Sequence, residues 1–343
     1  MKRLLTTLTA AAAALALAGC GALDEDPDAA DAPEGATTVK VGYLHTIAVD
    51  DKLHYGLENG YFADEDLNIQ ATQFDTGIAV SQALASGSID VAIMGGVTSN
   101  FPAQGQGKIF MVNSIETATA RLYVQPDSGI ESVEDLPGKT LITTEGTTAD
   151  VFLNAAMKAN KVDRADVDVV NAAMPDAVQA FVAGNADAIA LWVPFDLRVK
   201  EGNPEAIEID DAGNYPDAAV ADGWIANNEW YDENEDTMAA IIRAWLSANE
   251  AFQEDPEAAL AQVQKAAYDG QATIEDLTYQ VKFQQNHSNE EWVKMYEDGT
   301  VTDIVASAEQ AYVDLGGLPE FVDPDEFFDT SLFIETAKEA GVE

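Results

Sequence analysis

Leu84-Ala85-Ser86-Gly87-Ser88-Ile89-Asp90-Val91-Ala92-Ile93 has a counterpart about a hundred residues further on, Phe181-Val182-Ala183-Gly184-Asn185-Ala186-Asp187-Ala188-Ile189-Ala190. In both, a stretch with helical spacing stops at a glycine, the residue that best tolerates the left-handed turn ending a helix. Three residues later an Asp opens a short apolar run of the kind that forms a buried strand. Outward from the first copy, Thr38 to Leu44 reads as a strand, His45 to Asp51 as a polar loop, and the next residues as a helix closed by Asn59-Gly60. Ile69 to Phe74 is a second strand, Asp75-Thr76-Gly77 a turn, Ile78 to Ser86 a helix and Ile89 to Met94 a third strand. Around the second copy, Glu131 to Gly138 is a polar turn, Thr140 to Thr143 a strand, Glu145 to Thr148 a loop and Ala149 to Ala159 a helix. This alternation predicts an α/β protein with mostly parallel sheets covered by helices. Two copies point to two lobes of one design rather than to a solenoid. Beyond about Ile225 helical spacing dominates, and Trp245 and Trp292 read as core residues.

At the N-terminus, Lys2 and Arg3 precede an apolar stretch, Leu4 to Ala18, too short to span a bilayer. Residues 1–19 are therefore expected to be a secretory signal peptide. The stretch ends in Leu17-Ala18-Gly19-Cys20, which resembles a bacterial lipobox, so Cys20 is expected to carry a lipid anchor. Cys20 is the one cysteine of the chain, which excludes an intrachain disulfide. Residues 20–37 are acidic, rich in alanine and devoid of aromatics, and read as a flexible tether. With 61 acidic against 17 basic residues the formal charge is −44. Nucleic acid is excluded as a partner, because its affinity comes from neutralising phosphates with Lys and Arg. Such a surplus suits a saline setting, where ~1 M salt screens self-repulsion to about 3 Å.

Val41-Gly42-Tyr43, Glu58-Asn59-Gly60-Tyr61-Phe62, Phe74-Asp75-Thr76-Gly77, Ala83 to Asp90, Ser132 to Lys139 and Leu191-Trp192-Val193-Pro194 occur in one order along the chain. Together they resemble the nitrate, sulfonate and taurine family of ABC-transporter binding proteins. The resemblance implies a type II periplasmic-binding-protein fold, with two Rossmann-like lobes joined by a hinge of two crossings. The crossings are expected near Tyr123-Val124 and Trp224-Ile225. Lobe 1 would comprise residues 38–123 and 226–343, and lobe 2 residues 124–225. The family also implies a monomer that captures a small solute, a sulfonate such as taurine, and hands it to a membrane permease and its ATPase, with neither cofactor nor metal. Nitrate, bicarbonate, a thiamine-pyrimidine precursor or riboflavin are the alternative solutes. A second class is enzymatic, since enzymes of thiamine-pyrimidine and menaquinone synthesis share the fold. Against it, no Ser, His and acid grouping stands out, and His45, His54 and His287 are scattered without metal-ligand spacing.

The cleft is expected where strands end and helices begin, because uncommitted amides at helix N-termini bind anions. Three loops have this character: Asp75-Thr76-Gly77, Gly95-Gly96-Val97-Thr98-Ser99 and Gly146-Thr147-Thr148. Their hydroxyls either cap the helices or contact the solute. Some taurine-type members of the family read the amino group with an acid two positions before a Trp, and Asp222-Gly223-Trp224 occupies that place. Asp222 is thus either an amine reader or one more surface acid. Trp192 either walls the cleft or packs a strand end. Thr46 follows the first strand with Tyr43 and His45, and Arg121 is either a solute contact or a structural ion-pair partner.

Overall fold

The computed structural model describes residues 35–96 and 98–342; the expected signal peptide, Cys20, the tether up to residue 34 and the candidate contact Val97 lie outside them. Among the described residues, eleven strands follow one another in the chain. They are β1 (Thr37–Leu44), β2 (Leu67–Phe74), β3 (Val91–Met94), β4 (Lys108–Glu116), β5 (Ala120–Val124), β6 (Thr140–Thr143), β7 (Asp168–Asn171), β8 (Ala188–Trp192), β9 (Ile207–Asp211), β10 (Val220–Ala226) and β11 (Gln284–Gln285). They form two sheets, ordered β11-β4-β10-β3-β1-β2 and β7-β6-β8-β5-β9. In the first, β1 runs parallel to β2 and β3 while β10 is antiparallel to β3 and β4. In the second, β6 is parallel to β7 and β8 while β5 is antiparallel to β8 and β9.

The repeated motif has one structural job in both sheets. Gly87 and Gly184 take φ of 70° and 78°, in the left-handed region. The Asp that follows then binds the parallel neighbour strand twice. The Asp90 carboxylate accepts from the Lys40 amide at 2.8 Å and the Asp90 amide donates to the Lys40 carbonyl at 2.9 Å. Asp187 does the same with Thr140, at 2.9 Å in each direction. The acid fixes the register of the strand it opens, which is why the pattern recurs.

The crossings between sheets lie a few residues before the expected points. β5 pairs with β8 and β9 from Ala120 onward, so the chain leaves the first sheet at residues 117–119, not at Tyr123-Val124. β10 pairs with the first sheet from Val220, so the return precedes Val220 rather than following Trp224. The first bend falls in the polar run Glu116-Thr117-Ala118-Thr119 and the return follows Asp210 to Pro216, polar breaks that the expected placement at Tyr123-Val124 and Trp224-Ile225 passes over. Thr37, expected in the tether, is already the first residue of β1.

Helices α1 (Ile47–Glu58), α2 (Tyr61–Asp64), α3 (Gly77–Ala85) and α4 (Asn100–Ala103) precede the first crossing; α5 (Thr148–Ala159), α6 (Met174–Val182) and α7 (Phe195–Gly202) belong with the second sheet. After β10 come α8 (Asn228–Glu233), α9 (Glu235–Glu254), α10 (Pro256–Ala267), α11 (Ile274–Gln280), α12 (Asn289–Glu297), α13 (Thr300–Asp314) and α14 (Thr330–Glu339). None of the described helices is long and apolar enough to cross a membrane. α1 starts inside the stretch that reads as a loop, because Asp50, Asp51 and Lys52 are buried rather than solvated. Lys52 Nζ donates to Asp51 Oδ2 at 2.6 Å and to Asn286 Oδ1 at 2.8 Å, and that pairing makes burial tolerable. Each sheet has its own apolar core. Trp224, Trp245 and Trp292 are buried around the first, Phe152 and Phe181 around the second.

Candidate functional site

A cavity of about 50 Å³ lies where the two sheets face each other. Three helices begin at its wall. Thr46, Ile47 and Ala48 open α1; Thr76, Gly77 and Ile78 open α3; Thr147 and Thr148 open α5. The first amides of a helix have no intrahelical acceptor and sit at the positive end of its dipole, so three such ends at one cavity make a strong anion site. Three of the six threonine hydroxyls on the lining are bonded to the protein. Thr147 donates to the Thr144 carbonyl and Thr144 to the Ala172 carbonyl, both at 2.7 Å, while Thr76 caps α3 by accepting from the Ala79 amide at 3.2 Å. Backbone amides and the remaining hydroxyls, Thr119 among them, are the donors left for a solute. Leu44, Trp192 and Val193 supply the apolar wall.

The sheets meet closely here. A Cβ on Gly96 would stand 2.3 Å from Thr148 Oγ1 and 2.8 Å from the Thr148 amide nitrogen, so only glycine permits this approach. The Tyr312 hydroxyl holds the loop by donating to the Gly96 carbonyl. A second link joins α11 to α7, where the Tyr279 hydroxyl donates to Asp196 Oδ2 at 2.6 Å.

The one charged residue of the lining is Glu116, at the end of β4, 7% exposed. Behind it the carboxyl of Asp222 is fully buried, and neither of its oxygens meets a protein donor. Burial pushes both carboxyls upward, Asp222 well above the usual range because the charge of Glu116 adds to desolvation. Two carboxyls so placed resist carrying two charges at once, and Asp222, the more strongly raised, is the one that holds a proton more readily. Raised carboxyls stabilise the fold below their unfolded range, near pH 4, and that stability is lost as pH rises through the folded values. Asp222→Asn is accordingly expected to melt at the wild-type temperature near pH 4 and above it at pH 7, a difference that calorimetric melting at the two pH values measures.

Of the residues singled out in the sequence, Thr46, Thr76, Gly77, Gly96, Thr147, Thr148 and Trp192 line the cavity. Asp75, Thr98, Gly146 and Asp222 do not. The Thr98 hydroxyl is turned inward, donating to the carbonyls of Met94 and Gly95 at 2.8 and 2.6 Å. Gly146, with φ of 73°, spends its amide on Asp150 Oδ2 at 2.9 Å. Asp222 lies one layer behind the wall because β10 is a central strand, paired on both sides and buried along its length. Arg121 is held by Glu208 and stacks on Phe283 at 4.2 Å, which removes it from the solute. Sequence reasoning missed Glu116, Thr119, Thr144 and Gln280. Glu116 had a legible signal, an acid closing a strand otherwise buried from its second residue; Gln280 had none, since α11 reaches the cavity from far along the chain.

Comparison with known proteins agrees with this architecture. A binding protein of unassigned ligand from Brucella abortus is 28% identical over 303 residues, spanning 88% of this chain and 92% of that one. The taurine-binding periplasmic protein of Escherichia coli is 22% identical over 185 residues, 53% of this chain and 57% of that one. The alkanesulfonate-binding protein SsuA of Xanthomonas axonopodis pv. citri, solved with MOPS bound, superposes with a TM-score of 0.67 at 16% identity, covering 85% of this chain and 98% of SsuA. The two-sheet architecture is thus the periplasmic-binding-protein fold. The sequence model described as NMT1/THI5 like matches residues 52–259. With the fold, the cleft and that match in agreement, the chain belongs to the NMT1/THI5-like family.

Proposed function

We propose that this chain is the extracytoplasmic binding component of an ABC importer and that its cleft takes a small zwitterion of the taurine type. The observation that carries the reading is a single carboxylate, Glu116, set among three helix N-termini in a cavity lined by no Lys, Arg or His. The anionic end of the solute takes the amides of α1, α3 and α5, and its ammonium takes Glu116. A charge-assisted hydrogen bond of that kind is worth about 1.5–3 kcal/mol. Nitrate or bicarbonate would leave Glu116 unpaired and repelled. A flavin needs aromatic faces against both sides of its ring, and Trp192 is the one aromatic side chain of the lining.

In this reading Glu116, rather than the sequence candidate Asp222, is the amine reader, and Asp222 supports it from behind. The reading includes processing at Cys20, lipid anchoring to the outer face of the membrane, a monomer, and two lobes that close on the solute. Ligand contacts on both lobes shift the population toward the closed form, which the permease and its ATPase recognise. The cavity lining, all of it described, offers its threonines no His or Lys to act as a base, which supports binding over catalysis. Calorimetric titration with taurine is expected to give one site with micromolar affinity, about −8 kcal/mol. Absence of measurable heat and of any thermal shift at ~10 mM taurine would remove the proposal.

A further inference from the structure

Two of the three histidines, which look scattered in the sequence, meet on one buried carboxylate. His45 follows β1, and Asp50 and His54 lie one turn apart on the same face of α1. His45 Nδ1 is 2.6 Å and His54 Nε2 3.4 Å from Asp50 Oδ2, and one donor atom from each residue falls within 4.8 Å of the other two. We infer that His45, Asp50 and His54 form a binding site for a divalent transition-metal ion, distinct from the solute cavity.

Four features of the cluster carry the inference. First, the donor set of two imidazoles and one carboxylate suits zinc and its first-row neighbours, with an open fourth position. Second, metal bonds of 2.0–2.2 Å in a tetrahedron hold donors about 3.4 Å apart. The Asp50 to His54 separation has that length already, His45 needs to retreat from Asp50 by about 0.8 Å as an ion replaces the proton between them, and the two imidazole nitrogens, within 4.8 Å of each other, need to settle at the same spacing. Third, the carboxylate is oriented from behind, since the Tyr268 hydroxyl donates to Asp50 Oδ1 at 2.6 Å, leaving Oδ2 for the site. The Tyr268 ring also stacks on His45 with centroids 4.0 Å apart, and Tyr43 stands edge-on to His54 at 5.0 Å. Fourth, His54 Nε2 is buried without a hydrogen-bond partner, a desolvated lone pair or N–H that an ion or its displaced proton would explain. The side chains of His45 and His54 are 8% and 13% exposed while His54 Nε2 itself is buried, so an ion enters as these side chains shift. Ile47 and Ala48 of the same helix line the cavity, so a bound ion would brace one of its three N-termini.

The test uses the full-length protein without a histidine tag, stripped of metal by chelation, with zinc and cobalt(II) alone as probes and no solute. One equivalent of zinc is expected to bind at micromolar affinity or tighter. His54→Gln and His45→Gln are each expected to weaken it tenfold or more, with His287→Ala unchanged. The cobalt(II) adduct of the wild type is expected to show the intense visible bands of a four-coordinate nitrogen-ligated ion. An octahedral aquo-like cobalt spectrum in the wild type, or zinc binding that survives both His→Gln changes, overturns the site. Either result is independent of whether taurine binds.

Discussion

Glu116→Gln is expected to weaken taurine binding by roughly tenfold to a hundredfold, the loss of one charge-assisted hydrogen bond of about 1.5–3 kcal/mol in a site shielded from water. The substitution keeps the shape and a polar group, so packing around Gly95 and Thr119 is preserved and the thermal midpoint at pH 7 should not fall. Removing a desolvated charge should raise it, because Glu116 and Asp222 are held above their ordinary range by burial. A merely structural Glu116 would give the opposite pattern, a lower midpoint with unchanged affinity. Calorimetric titration and melting of the same two proteins separate the cases.

Gly96→Ala is expected to weaken the same ligand by roughly tenfold to a hundredfold through a different route, with Glu116 and all amide donors in place. The added methyl would overlap Thr148 Oγ1 and the first turn of α5, which are backbone-anchored and have no flexible end to swing aside. Overpacking of this kind typically costs about 1–3 kcal/mol, and it falls on any arrangement that brings the loop after β3 against the start of α5, as the proposed closed form does. Small-angle scattering should show wild type contracting on addition of taurine and Gly96→Ala remaining expanded at the same concentration. Gly95→Ala is the control: its Cβ would stand 3.4 Å from the nearest oxygens of Asp222 and Glu116, tight but without backbone overlap.

The lobe architecture was legible because the two copies of the helix, glycine, acid and strand motif encode local physics: a left-handed cap and a register-fixing carboxylate act within a few residues and leave a sequence trace. The helix starts at Thr76 and Thr147 left a local trace too, Thr76 as a side-chain cap on the Ala79 amide and Thr147 through its bond to the Thr144 carbonyl. What escaped was assembled over distance. Polarity marked His45 to Asp51 as a loop, whereas Asp51 pairs with Lys52 and Asp50 with His45 and Tyr268, which buries both acids in α1. Asp222 carried the right chemistry in the wrong layer, since no local pattern tells which face of a strand buried on both sides looks into a cleft. Glu116 and Gln280 reach the cavity only because the chain crosses between sheets beside one and returns α11 beside the other. His45 and His54 looked scattered because nine residues separate them, yet the turn at Thr46 folds one imidazole back over the first turns of α1.

The central claim is that one carboxylate among three helix N-termini selects a zwitterion, and a paired titration of taurine and ethanesulfonate into the wild-type protein tests it most directly. The two solutes share the sulfonate and the carbon chain and differ in the ammonium group. Taurine binding at least tenfold tighter, with the gap closing in Glu116→Gln, is the predicted result; ethanesulfonate binding as well as or better than taurine would contradict the account.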